Sequence, residues 1–283
     1  MRLKPSALKL TALSLLERAA AVARRRRLGF LVDALGPYVS RPFERFELEV
    51  DGVRLHGRDL AQLHYVRELR DHGRERTFVE LLAEAVPDGG VVLEGGAHLG
   101  FVSVHAARAA GPNGRVVVFE PNPTVHDILR ENLDLNDVAD RVDVHGLALG
   151  AERGTVRLYL SGDTSSVFEA GGEVTSVEVA VARADEVVEG PVDVVKLDVE
   201  GSELAALRGM ERLLEREDAP RALFVECHPQ LLARAGSSRD ELLTWLHAAG
   251  YAVEWIDEAG HRLAPLSEAW DGDYVNLRCL RLP

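Results

Sequence analysis

Five side chains able to do chemistry stand where short apolar runs end: Glu94, Glu120, Asp198, Glu200 and His228. A carboxylate at a strand tip can accept both hydroxyls of a ribose. A histidine or carboxylate held near a reacting hydroxyl can take its proton. Between the first two acids the chain reads EGGAHLGFVSVHAARAAGPNGRVVVFE. The glycines at its start, Gly96 and Gly100 among them, let backbone approach a ligand closely. A nucleoside-containing cofactor is the first expectation.

These residues need a scaffold that brings strand tips to one rim. Val91–Leu93 reads as a strand, Phe101–Ala110 as a helix closed by Gly111-Pro112, and Val116–Phe119 as a second strand. Thr124 with Asp127 predicts a capped helix bearing the apolar stripe Val125, Ile128, Leu129 and Leu133. Val142–Leu147 follows as a third strand, and Thr155–Leu160 and Val174–Ala182 as runs that insert into or extend the sheet. Val192–Leu197 and Leu223–Cys227 are strands, with Ser202 capping the helix between them. Ser238 and Glu241 open a helix that Gly250 ends, and Tyr251–Ile256 and Tyr274–Leu280 close the chain as a hairpin. Alternating strands and helices imply a mostly parallel sheet covered on both faces, the hairpin adding an antiparallel edge. Ligands then bind at the carboxyl ends of the strands.

The chain has 283 residues, 46% of them apolar, enough for one large α/β domain with an appendage. Residues 1–63 read as that appendage and 64–283 as the main domain; Asp51-Gly52 predicts a hairpin between Phe46–Val50 and Val53–His56. The N-terminal run up to Ala23 carries Lys9 and Glu17 and precedes Arg24-Arg25-Arg26-Arg27, the reverse of a signal peptide. It fits an amphipathic helix ending in cations, with reversible membrane-surface or partner attachment as the alternative. A cytoplasmic protein without a transmembrane segment is expected. The formal charge of −13 argues against a nucleic-acid partner. Cys227 and Cys279 are expected as buried small hydrophobes, and no zinc-ligand spacing is present.

Nicotinamide enzymes and methyltransferases share this supersecondary start. As a dinucleotide fingerprint the turn is the degenerate Gly95-x-Ala97-x-x-Gly100. An acid at position 94 suits a cation better than a pyrophosphate. The rim of Glu94, Glu120, Asp198 and Glu200 therefore fits S-adenosylmethionine, which carries an ammonium and a sulfonium and no phosphate.

The ordered set Glu94-x-Gly96-Ala97-His98-x-Gly100, Val118-Phe119-Glu120-Pro121-Asn122-Pro123, Ala148-Leu149-Gly150 and Lys196-Leu197-Asp198-Val199-Glu200-Gly201-Ser202-Glu203 resembles the FkbM family of S-adenosylmethionine-dependent methyltransferases. Glu226-x-His228 adds to the likeness, which runs roughly from Tyr65 to Ile256. The resemblance implies a seven-stranded Rossmann-like class I methyltransferase fold and O-methylation of a hydroxyl on a sugar or secondary metabolite. The chain departs where the family usually has Asp and Gly-Ala-Asn: here stand Glu94 and Gly96-Ala97-His98. On this reading Gly96, Ala97, His98 and Gly100 flank the methionine portion, and Glu94 faces its ammonium directly or through water. Glu120 takes the ribose with Pro121 and Asn122 nearby, Asn122 being equally readable as a turn residue. Leu147 and Ala148 approach the adenine.

His228 is the first candidate to take the acceptor's proton, with Glu200 and Asp198 next; Asp198 is also expected on the cofactor side. No metal is expected. The loop Ser161–Gly172 would overhang the site, and the appendage would complete the acceptor pocket or make a homodimer contact. The acceptor is expected to be a small molecule. N-methylation, a peptide acceptor, an NAD-dependent oxidoreductase and a non-catalytic binding module are the alternatives.

Overall fold

The computed structural model describes residues 45–161, 164–166, 175–269 and 273–283. The expected N-terminal helix, the arginine cluster and most of the Ser161–Gly172 loop lie outside them.

Asp51-Gly52 turns the chain with φ of 46° and 78°, so β1 (Phe46–Val50) and β2 (Val53–Gly57) pair as the expected hairpin. Asp59 caps α1 (Leu60–His72) by accepting from Gln62 N at 2.8 Å, and Gly73 ends it in the left-handed region. Helix α2 (Arg76–Ala85) buries Phe78, Val79 and Leu82. Then come β3 (Val91–Gly95), α3 (Phe101–Ala110), β4 (Arg115–Phe119), α4 (His126–Leu135) and β5 (Val142–His145), the three strands pairing parallel.

The expected cap at Thr124 is not what starts α4. Asn122 Oδ1 accepts from Thr124 N at 2.9 Å and from its hydroxyl at 2.7 Å, so the Thr124 hydroxyl is spent on the Pro-flanked turn.

After β5 the chain leaves the sheet. Strands β6 (Ala148–Leu149), β7 (Gly154–Ser161), β8 (Thr164–Ser166) and β9 (Thr175–Ala182) form a separate sheet in the order β6-β9-β7-β8. The two runs expected to insert into or extend the main sheet, Thr155–Leu160 and Val174–Ala182, are β7 and β9 of this separate sheet. They fold on their own because Ala148, Leu158 and Val179 make a small apolar cluster of their own.

The chain then returns with β10 (Val194–Leu197), α5 (Glu203–Arg208), α6 (Glu211–Leu214), β11 (Ala222–Cys227), α7 (Pro229–Arg234), α8 (Arg239–Ala248), β12 (Tyr251–Asp257), β13 (Arg262–Pro265) and β14 (Val275–Arg281). As expected, Ser238 opens α8, its hydroxyl accepting from Glu241 N at 3.2 Å.

The main sheet runs β13-β12-β14-β11-β10-β3-β4-β5, a Rossmann-like α/β arrangement. It has eight strands among the described residues, where seven were expected; β13 is the addition. Strand β14 is antiparallel to both neighbours but lies inside the sheet, between β11 and β12, not at the edge. Its inward residues Val275, Leu277 and Cys279 are buried, which an edge position would have left half-covered. The chain winds outward from β3 to β5 and later from β10 to β11, so the strand order reverses between β3 and β10. A crevice opens at the carboxyl ends there.

One face of the sheet carries the hairpin and α1 to α4, whose Leu55, Leu63, Leu82 and Ile128 share a core with Val92 and Phe224. The other carries α5, α7 and α8, with Leu207, Leu232 and Leu242 against Leu93 and Val225. Cys227 and Cys279 are buried free thiols, and burial pushes Cys227 up to about 12. No helix among the described residues is long and apolar enough to cross a membrane.

Candidate functional site

The turn after β3 is built around Gly96. Its φ is 77°, and a Cβ there would stand 1.9 Å from the Asp198 carbonyl oxygen, so only glycine fits between the tips of β3 and β10. His98 also sits in the left-handed region, at φ 50°. Asn and His are among the residues that tolerate it best, a physical reason for His where the family has Asn. Gly100 starts α3 and packs on Leu129.

Glu120 closes this turn from the neighbouring strand. Its Oε2 accepts from Ala97 N at 3.1 Å and His98 N at 2.8 Å, and its Oε1 from Asn122 N at 2.9 Å. Gly96 N donates to Phe119 O and Gly100 N to Ala97 O, both at 2.8 Å. Burial lifts the Glu120 carboxyl above its usual range, and the three backbone donors oppose that lift.

The strand register carries Glu120, Gly96, Asp198 and Glu226 across the rim, one residue beyond the paired row Phe119–Gly95–Leu197–Val225. A row below, Lys196 lies between Glu94 and Phe224. Lys196 donates to the Gly96 carbonyl and stands 3.6 Å from Glu94 Oε1 and 3.8 Å from Asp198 Oδ2. Burial alone would lower this ammonium, but Asp198, Glu94, Glu75 and Glu120 outweigh it and hold it above its ordinary value. Glu94 also accepts from Ser103 Oγ at 2.5 Å.

The loop after β10 is held by Glu203, whose Oε1 accepts from Val199 N and Gly201 N at 3.1 Å each. The side-chain cap expected of Ser202 is absent; Glu203 takes the backbone donors instead. Burial pushes Glu203 up to about 7. Glu200 is forced to φ 54° by this loop. Glu226 is buried at the end of β11, raised well above the usual carboxylate range by burial and then by Asp198 and Glu200.

A cavity of about 290 Å³ opens over the row. Of the candidate residues in the sequence, Gly96, Ala97, His98, Glu120, Pro121, Asn122, Ala148, Asp198 and Glu200 line it. Glu94, Gly100, Leu147 and His228 do not. The cation that Glu94 meets is the protein's own Lys196. The His228 ring is stacked on Tyr274 with centroids 6.1 Å apart, and its buried Nδ1 has no hydrogen-bond partner among the described residues.

The cavity also has walls that no motif announced. Leu149, Val156, Leu158 and Val181 come from the small sheet, Tyr65 from the middle of α1, and Arg74 and Glu75 from the turn after it. Lys196 was visible inside a motif but without a role. The Gly73 turn after α1 was the one local signal near Arg74. Among the described residues no group of three or more His, Cys, Asp or Glu side chains is placed to hold a metal ion.

The family model described as "Methyltransferase FkbM domain" matches residues 94–253, more than half of the chain. The chain belongs to the FkbM methyltransferase family. All the motif residues from Glu94 to His228 fall inside the FkbM match; Tyr65, Arg74, Glu75 and Tyr274 fall outside it. The chain is also similar to Methyltransferase sdnD of Sordaria araneosa, 28% identical over 163 residues, covering 44% of this chain and 62% of that protein. It is 41% identical over 86 residues to a catechol O-methyltransferase of Mycobacterium tuberculosis, covering 30% of this chain and 37% of that one. With the hexuronic acid methyltransferase AglP of Haloferax volcanii it shares 30% identity over 173 residues, 59% of this chain and 69% of the relative. The matches thus span less than two thirds of the first two relatives.

Proposed function

We propose that this FkbM-family chain transfers a methyl group from S-adenosylmethionine to a hydroxyl of a small molecule. One observation carries the choice of donor. The backbone N–H groups of Gly96, Ala97, His98 and Gly100 are all taken inside the protein, two of them by Glu120. A dinucleotide's pyrophosphate needs such groups free. The cavity instead offers carboxylates and an apolar wall, which suit a phosphate-free cation with a purine.

Glu120 keeps lone pairs for the ribose hydroxyls while it holds the loop. Leu149, Val156, Leu158 and Val181 are placed to cover the base, and Gly96 lets the donor lie against backbone. When bound, the donor supplies an electrophilic methyl group on sulfur. The residues must then align the acceptor oxygen for in-line displacement and accept its proton. That Asp198 and Glu200 line the cavity supports them as the groups that take that proton; His228, the first candidate in the sequence, is outside that lining and stacked on Tyr274. The relatives named for catechol and hexuronic acid methylation support a hydroxyl-bearing or acidic small acceptor.

Calorimetry with S-adenosylmethionine, S-adenosylhomocysteine and NAD tests the reading. Binding of the first two and not the third is expected; NAD binding alone would overturn it. A screen of phenolic and sugar acceptors, read by homocysteine product, then identifies the acceptor.

A further inference from the structure

Two cations line the cavity, Lys196 and Arg74. Lys196 is committed to Glu94, Asp198 and the Gly96 carbonyl. Arg74 is differently placed. Its guanidinium carbon lies 5.7 Å from the Tyr65 ring centroid and 5.8 Å from that of Tyr274, within cation–π range of both. Its Nε is ion-paired with Glu75 Oε1 at 3.5 Å and makes no hydrogen bond among the described residues, while 38% of the side chain stays exposed. The guanidinium therefore faces the cavity with hydrogen-bonding capacity left for a ligand carboxylate.

The donor has a fixed order: base, ribose, sulfur, amino acid. If the small sheet covers the base and Glu120 the ribose, the amino-acid end runs past the Gly96 turn toward Asp198, Glu75 and Arg74. That end is a zwitterion, and these residues present opposite charges to both of its groups. We propose that Arg74, contributed from outside the family's matched segment, binds the α-carboxylate of the donor, with Asp198 and Glu75 flanking its ammonium. The proposal rests on the S-adenosylmethionine reading above.

The test compares S-adenosylmethionine with its decarboxylated analogue, which keeps the ammonium, the sulfonium and the nucleoside. Calorimetry on the unaltered protein should show the parent binding on the order of tenfold tighter or more, as expected for a charge-assisted carboxylate contact. Arg74→Gln should bring the two ligands to within about twofold, and Arg74→Lys should restore part of the preference. The readout is a ratio, so a general weakening of the variant cancels. A preference that survives Arg74→Gln, or its absence in the unaltered protein, overturns the assignment. If the unaltered protein binds neither ligand, the donor reading itself fails and takes this one with it.

Discussion

Glu120 holds the glycine turn and, on the proposed reading, also the donor's ribose, so its substitution should differ from that of an ordinary ligand contact. The carboxylate organises the Gly96–His98 turn through two backbone N–H groups and also lines the cavity. Glu120→Ala should weaken S-adenosylhomocysteine by about 1.5–3 kcal/mol, roughly ten- to a hundredfold in Kd, in calorimetry. It should also lower the melting temperature without ligand, because the Ala97 and His98 donors lose their partner. Unchanged affinity would remove the ribose role. Gly96→Ala should be more damaging still to folding, since its Cβ would strike the Asp198 carbonyl at 1.9 Å in a backbone region that L residues avoid. A urea midpoint lower by an amount equivalent to a few kcal/mol is expected.

The elements are joined by buried amides more than by surface charge. Asn132 on α4 accepts from His56 N at 2.6 Å and donates to His56 O at 3.2 Å and Leu99 O at 2.8 Å. Asn136, one turn on, repeats the pattern on Arg54 at 3.0 and 2.7 Å. These two side chains stitch the edge of β2 to α4 and so hold the hairpin against the sheet. Asn132→Ala leaves one donor and two carbonyls buried without it and should cost about 3 kcal/mol in chemical denaturation. Breaking the exposed pair Arg115–Asp143, at 2.5 Å with about half of each side chain in water, should change stability by roughly 0.5 kcal/mol or less.

For the whole molecule the buried carboxyls set the pH response. Glu203 is raised from 4.5 to about 7 and Glu75 from 4.5 to about 6, both mainly by burial. Unfolding lets each release its proton near 4.5, so between that pH and about 7 the folded state binds more protons. Their stabilising contribution is complete below the unfolded value and is lost as pH rises through the folded one. Their part of the stability measured by urea should therefore fall across that window, Glu203 accounting for at most about 3 kcal/mol, against the opposite contribution of His105, which burial lowers to about 4. Glu203→Gln, which keeps an oxygen for Val199 and Gly201, should flatten the curve; an unchanged slope would remove Glu203 as its source.

The sequence by itself determined the helix Phe101–Ala110, the hairpin turn at Asp51-Gly52, the glycine turn after β3 and the acid at the tip of β4. Each is encoded within a few neighbouring residues by periodicity, by φ preference or by turn chemistry. Only the tertiary structure decided that Glu94 meets Lys196, that Asn122 rather than Thr124 organises the turn before α4, that β14 lies inside the sheet, and that Tyr65, Arg74 and the small sheet wall the cavity. These outcomes depend on strand register and on which apolar faces cover one another. Such choices are made between segments far apart in the chain, by the burial of the whole sheet, and leave no local pattern to read.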